Sequence, residues 1–132
     1  MKENPFLEFD AHVEQLASLK RQRIAFGLSA PNAEIFKSLE RSRKYADIVL
    51  VGPEAIRNIS GFEVIVDSAP EEKLAQMLAN DEFAGIVRGT IDDFKTYEAY
   101  QKFTGESFTD ELGILEDVTG RRLFLAPASN PE

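Results

Sequence analysis

Arg88-Gly89-Thr90 is the segment of this sequence best equipped to hold an anion. It follows the apolar run Phe83-Ala84-Gly85-Ile86-Val87 and precedes Ile91-Asp92, where a helix is expected to begin. A guanidinium supplies positive charge and a planar fork of donors, and Thr90 adds a hydroxyl. Glycine lets the backbone approach a ligand or turn tightly. The first N–H groups of the following helix would add further donors. Together these would hold a phosphate or a carboxylate. The same residues have a plainer reading. An arginine ending an apolar strand needs a partner for its charge, and a nearby carboxylate would provide one while Gly89 turns the chain. Both readings stand at this point.

Ser29, Gly52 and Ser68, with Asn32, close or follow three more apolar runs. Each alone reads as a helix cap or a turn residue. Gathered at one edge, they would form the rim of a binding site with Arg88, Gly89 and Thr90.

The elements that must position them are legible as a rhythm. Ile24-Ala25-Phe26-Gly27-Leu28-Ser29, Asp47-Ile48-Val49-Leu50-Val51-Gly52, Phe62-Glu63-Val64-Ile65-Val66-Asp67-Ser68 and Phe83 through Thr90 are short apolar runs, each followed by a helical pattern. Runs without polar alternation read as strands buried on both faces, which occur mainly in parallel sheets covered by helices. The expected fold is α/β: a three-layer αβα domain with a mostly parallel sheet and a C-terminal β-hairpin. Ligands of such sheets bind at the carboxyl ends of the strands, so the rim named above falls on the functional edge.

Helices are expected over residues 5–21 and 32–44, next in a helix that follows Ser68-Ala69-Pro70-Glu71 and that Asn80-Asp81 end, and last over residues 93–103. Asn4-Pro5 opens the first, and Phe6, Phe9, Val13 and Leu16 give it an apolar stripe that should pack on something. Lys20-Arg21-Gln22-Arg23 would close it, with positive charge at the helix C-terminus. Glu40 and Lys44 are spaced as an i, i+4 pair, and Ser68 and Glu71 as a capping box. A short turn through Ala55 and Ile56 precedes the third strand, and Leu74, Met77 and Leu78 mark the buried face of the third helix. Phe94, Tyr97 and Phe103 lie on the fourth helix, which Gly105 stops. Leu112 to Val118 and Arg121 to Ala126, around Thr119-Gly120, read as the hairpin.

Composition narrows the function. The 132 residues are enough for one domain with a real core, and 43% hydrophobic with 29% charged residues is ordinary for a globular protein. No apolar stretch approaches the roughly 20 residues that cross a bilayer, and Met1-Lys2-Glu3-Asn4-Pro5 does not begin a signal peptide. A cytoplasmic location is expected, without membrane partners. The absence of cysteine excludes disulfides and thiolate chemistry. A net charge of −8 argues against nucleic-acid binding. Residues 1–66 hold nine Lys/Arg and nine Asp/Glu, whereas residues 67–132 hold six and fourteen. That acidic half reads as a solvated surface, or as one facing a basic partner.

His12 is the sole histidine, so a zinc site is not expected. Glu71-Glu72, Asp81-Glu82, Asp92-Asp93 and Asp110-Glu111 could hold Mg²⁺, but they fall at helix starts and loops, where capping accounts for them. No metal is therefore expected, and no pattern singles out a cofactor. The sequence contains no G-x-x-x-x-G-K-[ST] loop, no G-x-G-x-x-G after the first strand and no G-x-S-x-G elbow.

Ala84-Gly85-Ile86-Val87-Arg88-Gly89-Thr90-Ile91, a helix, then Leu112-Gly113-Ile114-Leu115-Glu116-Asp117 and Gly120-Arg121-Arg122-Leu123-Phe124-Leu125-Ala126-Pro127 resemble the phosphate acetyl/butyryltransferase superfamily. The likeness is nearest to the methanogenesis marker protein 4 group, archaeal proteins labelled "putative methyltransferase". It covers residues 83–127 best. It implies one half of a two-domain fold with phosphate, acyl phosphate or coenzyme A in the cleft, lined by Arg88-Gly89-Thr90. Chains of that superfamily continue past the hairpin, and the later segments supply key phosphate-binding and catalytic groups. A chain ending at Glu132 is then expected to be a fragment or one half of a split protein. The expected function is a transacylase-like domain that binds a phosphate-bearing small molecule and does not catalyse transfer alone. The alternative is a regulatory or assembly module docking on a partner subunit or a second copy.

Overall fold

The computed structural model describes residues 7–107 and 113–125. Four strands form one parallel sheet: β1 (Gln22–Gly27), β2 (Ala46–Gly52), β3 (Glu63–Val66) and β4 (Gly85–Val87), in the order β3-β2-β1-β4. Helices α1 (Leu7–Leu19), α2 (Ala33–Ser42), α3 (Pro70–Ala79) and α4 (Asp93–Thr104) surround it, and a 3-10 turn spans Glu54–Ile56. The antiparallel strands β5 (Gly113–Glu116) and β6 (Arg122–Leu125) form a separate two-stranded sheet. The α/β class, the parallel sheet and the C-terminal hairpin are as the sequence implied. Leu112 and Ala126, expected at the ends of the hairpin, and Asn4-Pro5 with Phe6, expected to open the first helix, lie outside the described residues.

Each strand presents alternate side chains to two different cores. Ala25, Val49, Val51, Leu74, Met77, Phe83 and Ile91 fill one, under α3. Leu28, Leu39, Leu50 and Ile56 fill the other, under α2. Burial of both faces holds for the central β2, whose last four residues are buried, but not for the edges. β4 is an edge strand of only three residues, and its Val87 is 44% exposed. The hydrophobic run that predicts a longer strand includes Phe83, which is buried in the core but precedes β4.

Three local expectations are corrected. The first is the basic cluster, which does not cap α1. Arg21 donates to Asp47 at 2.9 Å, while Arg23 lies in β1 and reaches both carboxylate oxygens of Glu63 at 3.1 Å. These cations tie strands together because the chain has already turned into β1. The second is α1, which buries none of its residues and leaves Val13 and Leu16 about half exposed. Its links run through polar ends, Glu14 accepting from Tyr45 Oη at 2.8 Å and Asp10 pairing with Arg122 of the hairpin. The third is Glu40, which pairs with Arg43 at 2.9 Å rather than with Lys44, because Lys44 lies over the Tyr45 ring.

Candidate functional site

The loops that leave β1 and β4 diverge. The β1 loop leads to α2 on one face of the sheet, and the β4 loop leads to α4, packed beside α3 on the other. Since β1 and β4 are adjacent, their carboxyl ends form a topological switch point, the place where open α/β sheets leave a crevice for ligands. Ser29 stands on one side of it and Arg88-Gly89-Thr90 on the other.

The two loops are stitched together. Thr90 N–H donates to the Gly27 carbonyl at 3.0 Å, continuing the pairing that ends at Phe26 and Val87. Ser29 N–H donates to Thr90 Oγ1 at 2.9 Å, and the Ser29 and Thr90 hydroxyls lie 3.1 Å apart. Glycines permit this approach. A Cβ on Gly27 would lie 2.4 Å from the Arg88 carbonyl oxygen, and one on Gly89 would lie 1.9 Å from that of Gly27. Gly89 also has φ +61°, a left-handed conformation that side chains other than glycine rarely adopt. Beneath the loops Ile91 is buried in the core.

Arg88 is exposed and forms no ion pair with a described carboxylate. One guanidinium nitrogen donates to the Ile91 carbonyl at 3.0 Å. Among the described residues, no carboxylate fills the place that the salt-bridge reading of Arg88 expected. The exposed guanidinium keeps its contact with water, so it needs no carboxylate to offset desolvation.

The helix that follows offers an anion less than its sequence suggested. Asp92 is its N-cap and accepts from Lys95 N–H at 2.8 Å, and Asp92 N–H donates to Glu71 at 3.3 Å. Carboxylates already occupy these donors and add negative charge there. Any anion at this edge must be held by the loops and by Arg88.

The other rim residues separate. Asn32 caps α2, accepting from Ile35 N–H at 3.1 Å. Gly52 is buried at the end of β2; its Cβ would lie 1.9 Å from the Leu28 carbonyl oxygen, and its own carbonyl accepts from Asp67 N–H at 2.9 Å. It packs the β1 and β3 ends onto β2. Ser68 lies instead on a polar depression of about 310 Å³ between α3 and α4, with Glu71, Lys95 and Lys102. The capping box expected from Ser68 and Glu71 does not form. Ala69 is the N-cap, with Pro70 starting the helix, and Asp67 Oδ1 takes the Ala69 N–H at 2.8 Å. Glu71 is thereby free to bind Asp92, a contact with no signal in the sequence.

His12 is exposed on α1. Among the described residues no group of three or more His, Asp or Glu side chains gathers to hold a metal ion. The carboxylate pair Asp110-Glu111 lies outside them. Among the described residues, no helix is long and apolar enough to cross a membrane.

Comparison with known proteins gives a consistent likeness. The chain is 31% identical over 124 residues to a Methanosarcina mazei protein named "Putative methyltransferase mtx subunit X". Proteins of the same name from Methanosarcina barkeri and Methanosarcina acetivorans are 28% and 29% identical. These matches take in 88–91% of this chain. No protein-family model matches, and no solved structure matches. Of the two likenesses expected from the sequence, the one to archaeal proteins labelled as methyltransferases has support from these relatives, and no comparison speaks for the phosphate acetyl/butyryltransferase superfamily. The chain is thus similar, along most of its length, to the Methanosarcina "mtx subunit X" proteins, and it spans 44% of their length.

Proposed function

We propose that this chain carries part of a binding site for a phosphate-bearing small molecule, at the carboxyl ends of β1 and β4. The observation that carries this reading is the position of Arg88. Arg88 follows β4 at the switch point, exposed and without a described carboxylate partner, and two residues on the Thr90 hydroxyl lies 3.1 Å from that of Ser29. A phosphate oxygen on Arg88 would gain a charge-assisted bond, and the hydroxyls would orient a second oxygen. Gly27 and Gly89 serve here to bring two loops together rather than to admit a pyrophosphate, so the site suits a compact anionic group. The proposed resemblance to phosphate acyltransferases agrees with that choice. No described residue is placed as a general base, so the reading is one of binding, with reacting groups coming from outside these loops.

The test is an NMR titration of backbone amides with inorganic phosphate, acetyl phosphate, coenzyme A and S-adenosylmethionine. Shifts clustered at Ser29 and Arg88–Thr90 with the first three support the proposal. Shifts with S-adenosylmethionine alone point to methyl transfer, the activity named for the relatives. Silence with all four overturns the site.

A second reading has its own observation. The hairpin residues Ile114, Leu115 and Leu123 are each about half exposed. An isolated two-stranded hairpin is marginal in water, so these side chains suit contact with another protein. The word "subunit" in the relatives' name agrees with such a role. The hairpin would then dock this chain in a larger assembly, beside the anion site or in place of it.

A further inference from the structure

The two faces of the sheet are covered unequally. A helix with its side chains is about 10 Å wide and strands lie about 4.8 Å apart, so four strands need about two helices per face. One face is covered by α3, with α4 packed against α3. The other has α2, whose Leu39 is buried against Leu28 and Leu50. Among the described residues, the sheet beside α2 stays open over β1 and β4, in an apolar groove of about 470 Å³ walled by Ile24, Phe26, Ile35, Ile48 and Val87.

Two features shape this groove for a helix. Gly85 pairs with Ile24 on the same side of the sheet and has no side chain to cover it; a Cβ there would meet Ile24 Cδ1 at 3.5 Å, an ordinary contact. On the α2 wall the small residues Ser38 and Ser42 stand one turn apart, which lets a neighbouring helix come close. The uncovered width is about that of one helix.

We infer that the groove is the seat of an amphipathic helix from the polypeptide that corresponds to the part of the Methanosarcina relatives beyond this chain's span. This chain covers 44% of those proteins, so more than half of their length has no counterpart here. Among the described residues the groove has no helix over it, and the relatives' further length is a natural source of one. The occupant presents apolar side chains at helical spacing to Ile24, Phe26 and Val87. α1 is not the occupant within its own chain, since none of its residues is buried. The inference stands apart from the anion site and does not depend on it.

Because the chain has no cysteine, a single engineered thiol reports on the groove. The full chain carrying Val87→Cys is mixed with the unmatched portion of the Methanosarcina mazei relative, made as a separate polypeptide. In a second arm the two are joined in one chain, where high effective concentration removes the demand on affinity. Glu98→Cys, exposed on α4, is the control. The expected result is alkylation of the groove thiol slowed about tenfold or more in the joined chain, with the control unchanged. Equal alkylation of the groove thiol with and without the added polypeptide in both arms overturns the inference. So does protection of that thiol by a dimer of this chain alone, which would make a second copy the occupant.

Discussion

Thr90 accepts, through its side-chain oxygen, the backbone N–H of Ser29 at 2.9 Å across 61 residues of sequence. One hydroxyl thus links the β1 and β4 loops, at the edge proposed for the anion. Thr90→Val should leave the Ser29 N–H without its acceptor at an exposed position. The expected cost is about 1 kcal/mol in urea unfolding, with Thr90→Ser near the parent. Amide exchange at Ser29 should quicken in the valine variant alone.

Gly89 and Gly61 separate strain from crowding. Both have positive φ, but a Cβ on Gly61 meets nothing within 4 Å, whereas one on Gly89 meets the Gly27 carbonyl oxygen at 1.9 Å. Gly61→Ala should cost about 1 kcal/mol from backbone strain. Gly89→Ala should cost roughly 3 kcal/mol or more, because the loops must also part. Thermal unfolding of the two variants side by side checks the order.

Arg88 should matter for binding and not for folding. It is exposed, and its hydrogen bond to Ile91 is replaceable by water. Arg88→Ala should change stability by less than about 0.5 kcal/mol, the usual range for surface changes. It should weaken phosphate binding by about tenfold or more, as expected for a lost charge-assisted bond. Calorimetric titration beside a melting curve would show whether the two effects separate.

The hairpin turn should respond to acid. Asp117 is held below its ordinary value of 3.8, first by the Thr119 hydroxyl and then by the Arg121 backbone N–H. A carboxylate with a lowered folded-state value stabilises the turn above its unfolded value, and that contribution is lost as pH falls through the folded one. The amide signals of Thr119 and Arg121 should titrate with a midpoint below 3.8. Asp117→Asn should abolish that step. A midpoint above 3.8 would contradict the assignment.

Asp92 caps α4 and binds Lys95 N–H. Asp92→Ala should destabilise by about 1 kcal/mol, and Asp92→Asn by less. If carboxylates at this terminus oppose an anion, Asp92→Asn should also raise phosphate affinity at the neighbouring loop. Titration of that variant against the parent measures the effect.

The sequence by itself determined the parallel strands to within their ends, most helix bounds and the edge proposed for a site. Those are local properties: Gly52 ends an apolar run, Asn32 and Asp92 cap helices, and Gly105 stops one. It also singled out Arg88, Gly89, Thr90 and Ser29. What only the tertiary structure decided is which of the candidates meet. Strand order placed β1 beside β4, so Ser29 met Thr90, while Gly52 was closed over by Leu28 and Ser68 went to another depression. The partners of Arg21, Arg23, Glu71 and Arg88 were likewise undetermined by spacing, because each lies on another element or loop brought near by packing or tight turning. Hydrophobic periodicity marks which side of an element is apolar. It carries no information about what covers that side, and so α1 and the groove over β1 and β4 read as packed in the sequence and stand open in the structure.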